Sequence, residues 1–161
     1  MNAPTRYRYA LSTPLGPLTA VFEGSDLVAL EFDRNDATTP GPFPPEVAAS
    51  LQALGRELDA YFAGERVDFD VPLAPAGTPF QREVWTALRH IPWGTTASYA
   101  EVARRIGRPR AVRAVGAANA RNPIAILVPC HRVIGADGSL TGYAGGLARK
   151  RALLELEGKG V

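Results

Sequence analysis

The sequence predicts an α+β protein with two domains. Segments rich in β-forming residues fill the first part of the chain, helical periodicity dominates afterwards, and the charge is split between the halves. Residues 1–79 carry a net charge of −6 and residues 80–161 one of +8, within a total of +2. Residues 71–77 contain turn-forming prolines and a glycine between the halves. We therefore predict a small antiparallel sheet plus helix in residues 1–75, and a mostly helical domain with a helix-turn-helix and an active-site loop in residues 76–161.

The N-terminal half contains three predicted strands and one predicted helix. The strands are residues 7–11, 18–22 and 27–32, and Gly24-Ser25-Asp26 predicts a hairpin between the last two. Apolar residues at spacings of three and four predict a helix over residues 46–63 that ends at Gly64. We find no repeat and no catalytic pattern in this half, which indicates a supporting domain.

Two capping boxes mark helix starts in the C-terminal half. Thr78-Pro79-Phe80-Gln81 begins a predicted helix that continues to about His90, and Ser98-Tyr99-Ala100-Glu101 begins a short one that ends near Ile106. Another helix is predicted from about Arg110 to Ala120. Two short helices around a glycine-containing turn are typical of a helix-turn-helix, although many helix pairs share this pattern.

The rest of the C-terminal half contains a predicted buried strand, a loop and a final helix. The apolar run at residues 124–128 predicts the strand, and a glycine-rich loop covers residues 135–146. The final helix is predicted over residues 147–157 and is closed by Gly158. Residues 129–134, which contain candidate active-site residues discussed below, lie between this strand and the loop.

The helix-turn-helix region is basic and has small side chains. Its five arginines fit either a solvated face or contact with a polyanion: Arg104, Arg105, Arg108, Arg110 and Arg113. Alanines surround Gly116 in the second helix. A glycine inside a helix costs about 1 kcal/mol relative to alanine. Close packing against another helix explains such a residue, and so does close approach to a nucleic-acid groove.

The chain has a single cysteine, Cys130, followed by His131. One cysteine cannot form an internal disulfide, so it is either a nucleophile or an inert buried thiol. His131 is the candidate base, but neighbouring residues of a strand point to opposite faces, so contact requires a turn or a bridging water. Glu157 is the candidate orienting group, because a carboxylate at a helix C-terminus is unfavourable without a partner. Exposure at the helix end is the alternative for Glu157.

The segment 126–135, Ile-Leu-Val-Pro-Cys-His-Arg-Val-Ile-Gly, resembles the active-site signature of the O6-alkylguanine-DNA alkyltransferases, or methylated-DNA–protein-cysteine methyltransferases, of the bacterial type. Further segments are similar in family order and spacing over residues 78–158. They are residues 94–99, 113–116, 122–123, 142–147 and 153–158. The N-terminal half is similar more loosely, through its strand-then-helix order and Tyr61-Phe62-Ala63-Gly64.

This resemblance implies DNA repair by direct reversal. Cys130 would accept the alkyl group of O6-alkylguanine from a flipped-out nucleotide, irreversibly and once per molecule, while O4-alkylthymine stays open as a second substrate. The implied catalytic residues are Cys130, His131 and Glu157 in a relay through water, Asn122 as a brace of the loop, and Tyr99 as hydrogen-bond donor to the departing guanine.

The resemblance also implies contacts with substrate and DNA. The substrate-binding residues would be Val133, Gly135, Ala136, Tyr143 and Ala144. Arg113 would occupy the space of the extruded nucleotide, and the helix would enter the minor groove. The implied DNA-binding residues are Thr96, Arg110, Arg113, Ala114, Gly116 and Ala117.

Two departures from the family pattern concern side chains. Ala144 stands where some members have serine, so only its backbone N–H is available. Some members bind zinc through N-terminal cysteines, which one cysteine and two histidines cannot reproduce. We predict no metal and no cofactor, double-stranded DNA as the partner, a monomer, no membrane association and a reducing cytoplasmic location.

Three alternatives differ in chemistry. A non-enzymatic protein that binds alkylated DNA carries another residue, often tryptophan, at the nucleophile position, which Cys130 argues against. A helix-turn-helix regulator explains the arginines but not the joint placement of Cys130, Asn122 and Glu157. A cysteine hydrolase would turn over many times, whereas a thioether is not hydrolysed.

Overall fold

The computed structural model describes residues 4–34 and 37–158. The chain divides between Pro75 and Ala76 into two compact units. Within the described residues, no helix is long and apolar enough to cross a membrane.

The first unit contains a three-stranded antiparallel sheet in the order β1-β2-β3. Its strands are β1 (Tyr7–Leu11), β2 (Leu18–Glu23) and β3 (Asp26–Phe32), which confirms the three predicted strands to within one residue at each end. Gly24 lies in the predicted hairpin turn with φ of 57°. This left-handed conformation favours glycine because a side chain would be strained there.

Helix α1 (Pro45–Phe62) packs against β3 through one apolar face. Val47, Leu54, Leu58 and Tyr61 are buried, whereas Leu51 is only partly buried. The helix ends before Gly64, whose φ is 87°. The predicted helix is thus confirmed, together with the glycine that ends it.

As far as residue 158, the second unit contains four α-helices, named α2 (Pro79–Leu88), α3 (Tyr99–Arg105), α4 (Val112–Ala120) and α5 (Leu147–Leu156). Both predicted capping boxes form in full, so the side chains of Thr78 and Ser98 accept from backbone N–H groups that the helix leaves unpaired. Trp85 Nε1 donates to the Ala118 carbonyl over 2.8 Å and ties α2 to α4. Helices α3 and α4 form the predicted helix-turn-helix pair, with Gly107 at φ of 75° in the turn.

The predicted strand over residues 124–128 is wrong. These residues form a buried turn, in which the Val128 N–H donates to the Ile124 carbonyl over 3.2 Å. Ile126 adopts φ of 72°, a left-handed conformation that is unfavourable for a β-branched residue. The side chain of Asn122 satisfies backbone groups that a strand would pair with a neighbour. An apolar run therefore predicted the burial correctly, but it did not distinguish a strand from a braced turn.

Two strands of two residues each were missed in the sequence. Strands β4 (Ala97–Ser98) and β5 (Val133–Ile134) pair in parallel, with Ala97 opposite Val133. Strands this short have no detectable alternation. Their pairing places the first residue of α3, Tyr99, beside the segment that follows Cys130.

Candidate active site

The nucleophile candidate lies in a turn rather than in a strand. Cys130, His131 and Arg132 form a single 3₁₀ turn that follows Pro129. Successive residues of a 3₁₀ helix are rotated by about 120°, because there are about three residues per turn. Cys130 and His131 therefore do not point to opposite faces, and the geometric objection to their cooperation is removed. The Cys130 side chain is buried, with 6% of the residue exposed.

Glu157 is buried beside His131, which excludes the alternative of an exposed helix-end residue. It caps the C-terminus of α5, and its Oε2 lies 2.8 Å from His131 Nε2. Burial raises the pKa of this carboxyl group, but hydrogen bonds from His131 and Arg132 outweigh burial and lower the pKa to about 2. The group is an anion at neutral pH, so it can only accept hydrogen bonds. His131 Nε2 must then carry a proton.

Arg132 is a site residue that the sequence analysis missed. Its Nε and Nη2 donate to the two carboxylate oxygens of Glu157 over 2.8 and 2.9 Å, and its Nη1 donates to the Ile91 carbonyl over 2.6 Å. This two-point contact fixes the plane of the carboxylate as well as its charge. A detectable signal was present, since an arginine within a buried apolar segment requires an anionic partner.

His131 has the properties of a neutral base. Burial lowers its pKa, and the hydrogen bond to Glu157 only partly opposes this effect. With a proton on Nε2, the neutral ring has its lone pair on Nδ1. That Nδ1 atom is buried and has no hydrogen-bond partner among the described residues. This nitrogen can therefore accept a proton from a group that reaches it.

The thiol of Cys130 requires such a base. Burial raises its pKa, while a hydrogen bond from Asn122 and the positive charge of Lys150 act in the opposite direction. Because burial is the largest of these effects, the resting sulfur is a protonated thiol. A thiol is a poor nucleophile until its proton is removed.

Two asparagines connect α4 to the segment that leads to Cys130. Asn122 donates to the Val128 carbonyl over 2.8 Å and to the Ile124 carbonyl over 3.2 Å, and it accepts from the Ile124 N–H over 3.0 Å. Asn119, which the sequence analysis missed, is buried in α4 and donates to the Cys130 carbonyl over 3.5 Å. The position of the cysteine backbone therefore depends on the end of this helix.

The predicted substrate residues lie on β5 and in the loop that follows it. Val133 is buried, Gly135 and Tyr143 are half-buried, and Ala136 and Ala144 are exposed. The hydroxyl of Tyr143 is buried without a hydrogen-bond partner among the described residues, and burial raises its pKa well above the ordinary value. This phenol is therefore neutral. It is available to a group that enters the site.

Tyr99 occupies the start of α3 and contacts the loop. Its hydroxyl lies 2.5 Å from the hydroxyl of Thr141, and either group can be the donor. Thr141 is another residue that the sequence analysis missed. If Thr141 donates, the proton of Tyr99 is free to bind a substrate atom.

Four of the six predicted DNA-binding residues are exposed in the helix-turn-helix. Arg110, Arg113, Ala114 and Ala117 are exposed on or before α4. Gly116 is half-buried, and a Cβ atom there would meet the Tyr99 ring at 3.8 Å, which is an ordinary contact. Packing within the unit therefore does not require this glycine. Thr96 is half-buried just before β4.

Residues 4–34 and 37–158 contain no group of three or more His, Cys, Asp or Glu side chains placed to hold a metal ion. The absence of a cofactor stays a prediction. The chemistry described above uses only protein groups.

Two family models cover almost the whole chain. The model described as 6-O-methylguanine DNA methyltransferase, DNA binding domain, matches residues 79–159. The model described as 6-O-methylguanine DNA methyltransferase, ribonuclease-like domain, matches residues 5–75.

The chain belongs to the 6-O-methylguanine DNA methyltransferase family.

Sequence relatives and solved structures of the family agree. A methylated-DNA–protein-cysteine methyltransferase of Mycobacterium bovis is 53% identical over 148 residues, which are 91% of this chain and 89% of the relative. The crystal structure of the O6-methylguanine methyltransferase of Mycobacterium tuberculosis has a TM-score of 0.84 at 50% identity, and covers 95% of this chain and 93% of that one. The structure of Mycobacterium tuberculosis OGT in complex with DNA has a TM-score of 0.81 at 53% identity, and covers 92% and 90%.

Family membership confirms the resemblance found in the sequence and the predicted α+β class. The chain is an enzyme that transfers a methyl group from methylated DNA to a cysteine of the protein, which is direct DNA repair. The non-enzymatic DNA-binding protein and the regulator are not favoured.

The charge of Glu157 predicts how stability changes with pH. Its pKa of about 2 in the folded protein lies below the ordinary 4.5, so the unfolded chain binds this proton more readily. Its stabilising contribution, about 3 kcal/mol, is present above pH 4.5 and is lost as the pH falls through about 2. We expect Glu157→Gln to be less stable than the parent protein in urea unfolding at neutral pH, with a difference that shrinks over this range.

The control for this experiment is Glu46→Gln, which alters an exposed carboxylate in the first turn of α1. It should change stability by less than about 0.5 kcal/mol. A difference between Glu157→Gln and the parent protein that stays constant from neutral pH to pH 2 would contradict the assigned charge.

Proposed function

We propose that this chain repairs O6-alkylguanine in double-stranded DNA by one irreversible transfer of the alkyl group to Cys130. The C-terminal domain, residues 76–161, binds DNA and performs the transfer, and residues 1–75 support it. The observation that carries the proposal is the buried ion pair of Arg132 and Glu157, which holds His131 in the tautomer of a base next to the single cysteine.

Proton removal is the first step. A water molecule passes the thiol proton of Cys130 to Nδ1 of His131, and the imidazolium that forms is stabilised by the Glu157 carboxylate at 2.8 Å. Because that carboxylate also binds Arg132, it stays charged while the imidazole gains its proton. The arrangement is a nucleophile, a base and an orienting group.

Alkyl transfer is a direct displacement. The thiolate sulfur attacks the alkyl carbon, an S–C bond forms as the O6–C bond breaks, and the electron pair of that bond goes to the guanine oxygen. The departing guanine gains one proton in place of the alkyl group. The thiol has lost one proton, so the numbers of protons lost and gained are equal. The product is a thioether, which water does not hydrolyse, and each chain therefore reacts once.

The pocket recognises guanine through backbone groups and a phenol. The carbonyls of Cys130 and Val133 accept from the guanine amino group, and the backbone N–H of Ala144 approaches O6. Tyr99 donates to the departing base, and Thr141 is placed to accept or donate at the phenol oxygen. Tyr143 forms a wall of the pocket, while Gly135 and Ala136 begin the loop that closes it.

DNA is bound through the minor groove by α4. A reacting atom inside a duplex is inaccessible, so the nucleotide is flipped out at a cost of a few kcal/mol. Arg113 enters the duplex and takes the place of the extruded nucleotide. Ala114, Gly116 and Ala117 allow close approach of the helix, which fits the absence of a packing reason for Gly116. Arg110 and Thr96 contact the backbone.

Three further features complete the proposal. The protein acts as a monomer, because one chain supplies every residue of the mechanism. It works in the reducing cytoplasm, where a single unpaired cysteine keeps its thiol. Its DNA affinity is largely independent of sequence and is weakened by salt, because arginines that contact phosphates supply most of it.

Mass spectrometry of the intact protein tests the proposal. After incubation with a duplex that contains O6-methylguanine, we expect a gain of one methyl group per chain, located on Cys130 by peptide mapping. Cys130→Ala should gain none, although it should still bind the duplex. Several turnovers per chain, or methylation of the alanine variant, would disprove the mechanism.

Arg113→Ala tests the flipping role. We expect this variant to slow repair of the duplex by roughly tenfold more than it slows reaction with the free O6-alkylguanine base, because only the duplex requires extrusion. The matched control is Arg104→Ala, which removes another exposed positive charge, from α3. Equal losses on both substrates would assign Arg113 a role in the chemistry or in folding instead.

A further inference from the structure

A buried lysine binds the backbone of the segment that follows Cys130. Lys150 is part of α5, has 0% of its surface exposed, and donates through Nζ to the Val133 carbonyl over 2.6 Å and to the Thr141 carbonyl over 3.1 Å. Lysine is almost never fully buried without a partner for its charge. These two acceptors satisfy N–H groups of the ammonium, but they are neutral and do not balance its charge.

The thiolate of Cys130, formed when the thiol ionises, is the group that balances the positive charge of Lys150. The positive charge of Lys150 lowers the pKa of the Cys130 thiol, and the thiolate in turn raises the pKa of Lys150, which burial lowers to about 8. Each charge therefore stabilises the other. Burial makes this coupling stronger than it would be at the surface, because water does not screen the two groups.

The two carbonyls bound by Lys150 belong to different sides of the proposed guanine pocket. Val133 is in β5, directly after the turn that holds Cys130, and Thr141 is in the loop just before Tyr143. The side chain of Thr141 contacts the phenol of Tyr99. One ammonium group thus connects α5, β5, the loop and the residue at the start of α3.

The contact of Lys150 with the Val133 carbonyl uses part of the capacity of this acceptor. A carbonyl oxygen has two lone pairs. Lys150 occupies one of them, and the other is available to the amino group of guanine. The lysine therefore orients the acceptor without blocking it.

We infer that Lys150 is a positioning residue for alkyl transfer, which fixes the Val133 and Thr141 carbonyls around the guanine and stabilises the thiolate of Cys130 as the proton leaves. This inference rests on the proposed role of Cys130 as the acceptor. The other charged or titratable groups around the pair are His131 and Arg132 in the 3₁₀ turn, Tyr143 in the loop, and Arg149 and Glu157 at the two ends of α5.

Three substitutions separate the two parts of this role. Lys150→Met removes both the charge and the donors at similar length. Lys150→Gln removes the charge but keeps N–H donors for a carbonyl. Lys150→Arg keeps both. The matched control is Arg56→Met, which removes a positive charge from an exposed position of α1.

Two measurements are made on each folded variant, with circular dichroism as the check of folding. The first is the single-turnover rate of methyl transfer from a duplex that contains O6-methylguanine. The second is the pH dependence of Cys130 alkylation by iodoacetamide without DNA, which reports the thiol pKa. We expect Lys150→Met to slow transfer by roughly tenfold or more, since it removes charged hydrogen bonds and a charge. It should also raise the thiol pKa.

The other variants are expected to divide these effects. Lys150→Gln should raise the thiol pKa as the methionine variant does, but it should lose less of the transfer rate. Lys150→Arg should keep the thiol pKa of the parent protein, and Arg56→Met should change neither the thiol pKa nor the transfer rate. If Lys150→Met does not fold, the glutamine and arginine variants decide the question, because a merely structural lysine predicts the same thiol pKa in both.

A folded Lys150→Met protein with the parent rate and thiol pKa would overturn the inference, even if it melts at a lower temperature. Equal thiol pKa values in the glutamine and arginine variants would do the same. A parent protein that transfers no methyl group would instead overturn the proposed function. The two failures are therefore distinguishable.

Discussion

The site depends on one buried carboxylate. Glu157 lies at the end of α5, where the helix dipole disfavours a negative charge, and burial disfavours it further. Two donors from the 3₁₀ turn, His131 and Arg132, reverse the balance and hold the carboxylate ionised. The arginine in turn donates to the Ile91 carbonyl just beyond α2. The end of α5, the cysteine turn and the end of α2 are therefore joined through a single anion.

This arrangement explains why the histidine can be a base although it is fully buried. Burial alone makes an imidazole harder to protonate, and a second cation beside it, Arg132, acts in the same direction. The Glu157 carboxylate, which binds both His131 and Arg132, offsets these effects when His131 gains a proton. Arg132 thus has two opposite effects, because it weakens His131 as a base directly and strengthens it by keeping Glu157 charged.

The sequence predicted most of the fold, and it indicated a candidate site around Cys130. Capping boxes gave the starts of α2 and α3 because they depend on residues three positions apart, and the lone cysteine beside a histidine pointed to a nucleophile. The strand at residues 124–128 was predicted wrongly because its turn depends on hydrogen bonds from Asn122. The position of Arg132 within an apolar segment was a signal that was not used. Lys150, Asn119 and Thr141 were missed for a reason related to that of the turn. Their partners lie far apart in the chain, and nothing in the local pattern shows that they are buried together.

The burial of Cys130 has a consequence for the time before it meets damaged DNA. Because each molecule reacts only once, oxidation of its sulfur by peroxide removes its repair capacity until the sulfur is reduced again. Such oxidation requires an exposed thiolate. This cysteine is only 6% exposed, and burial favours its protonated form. Burial and protonation of the thiol, which make a base necessary for repair, therefore also protect the sulfur from oxidation before the protein binds damaged DNA.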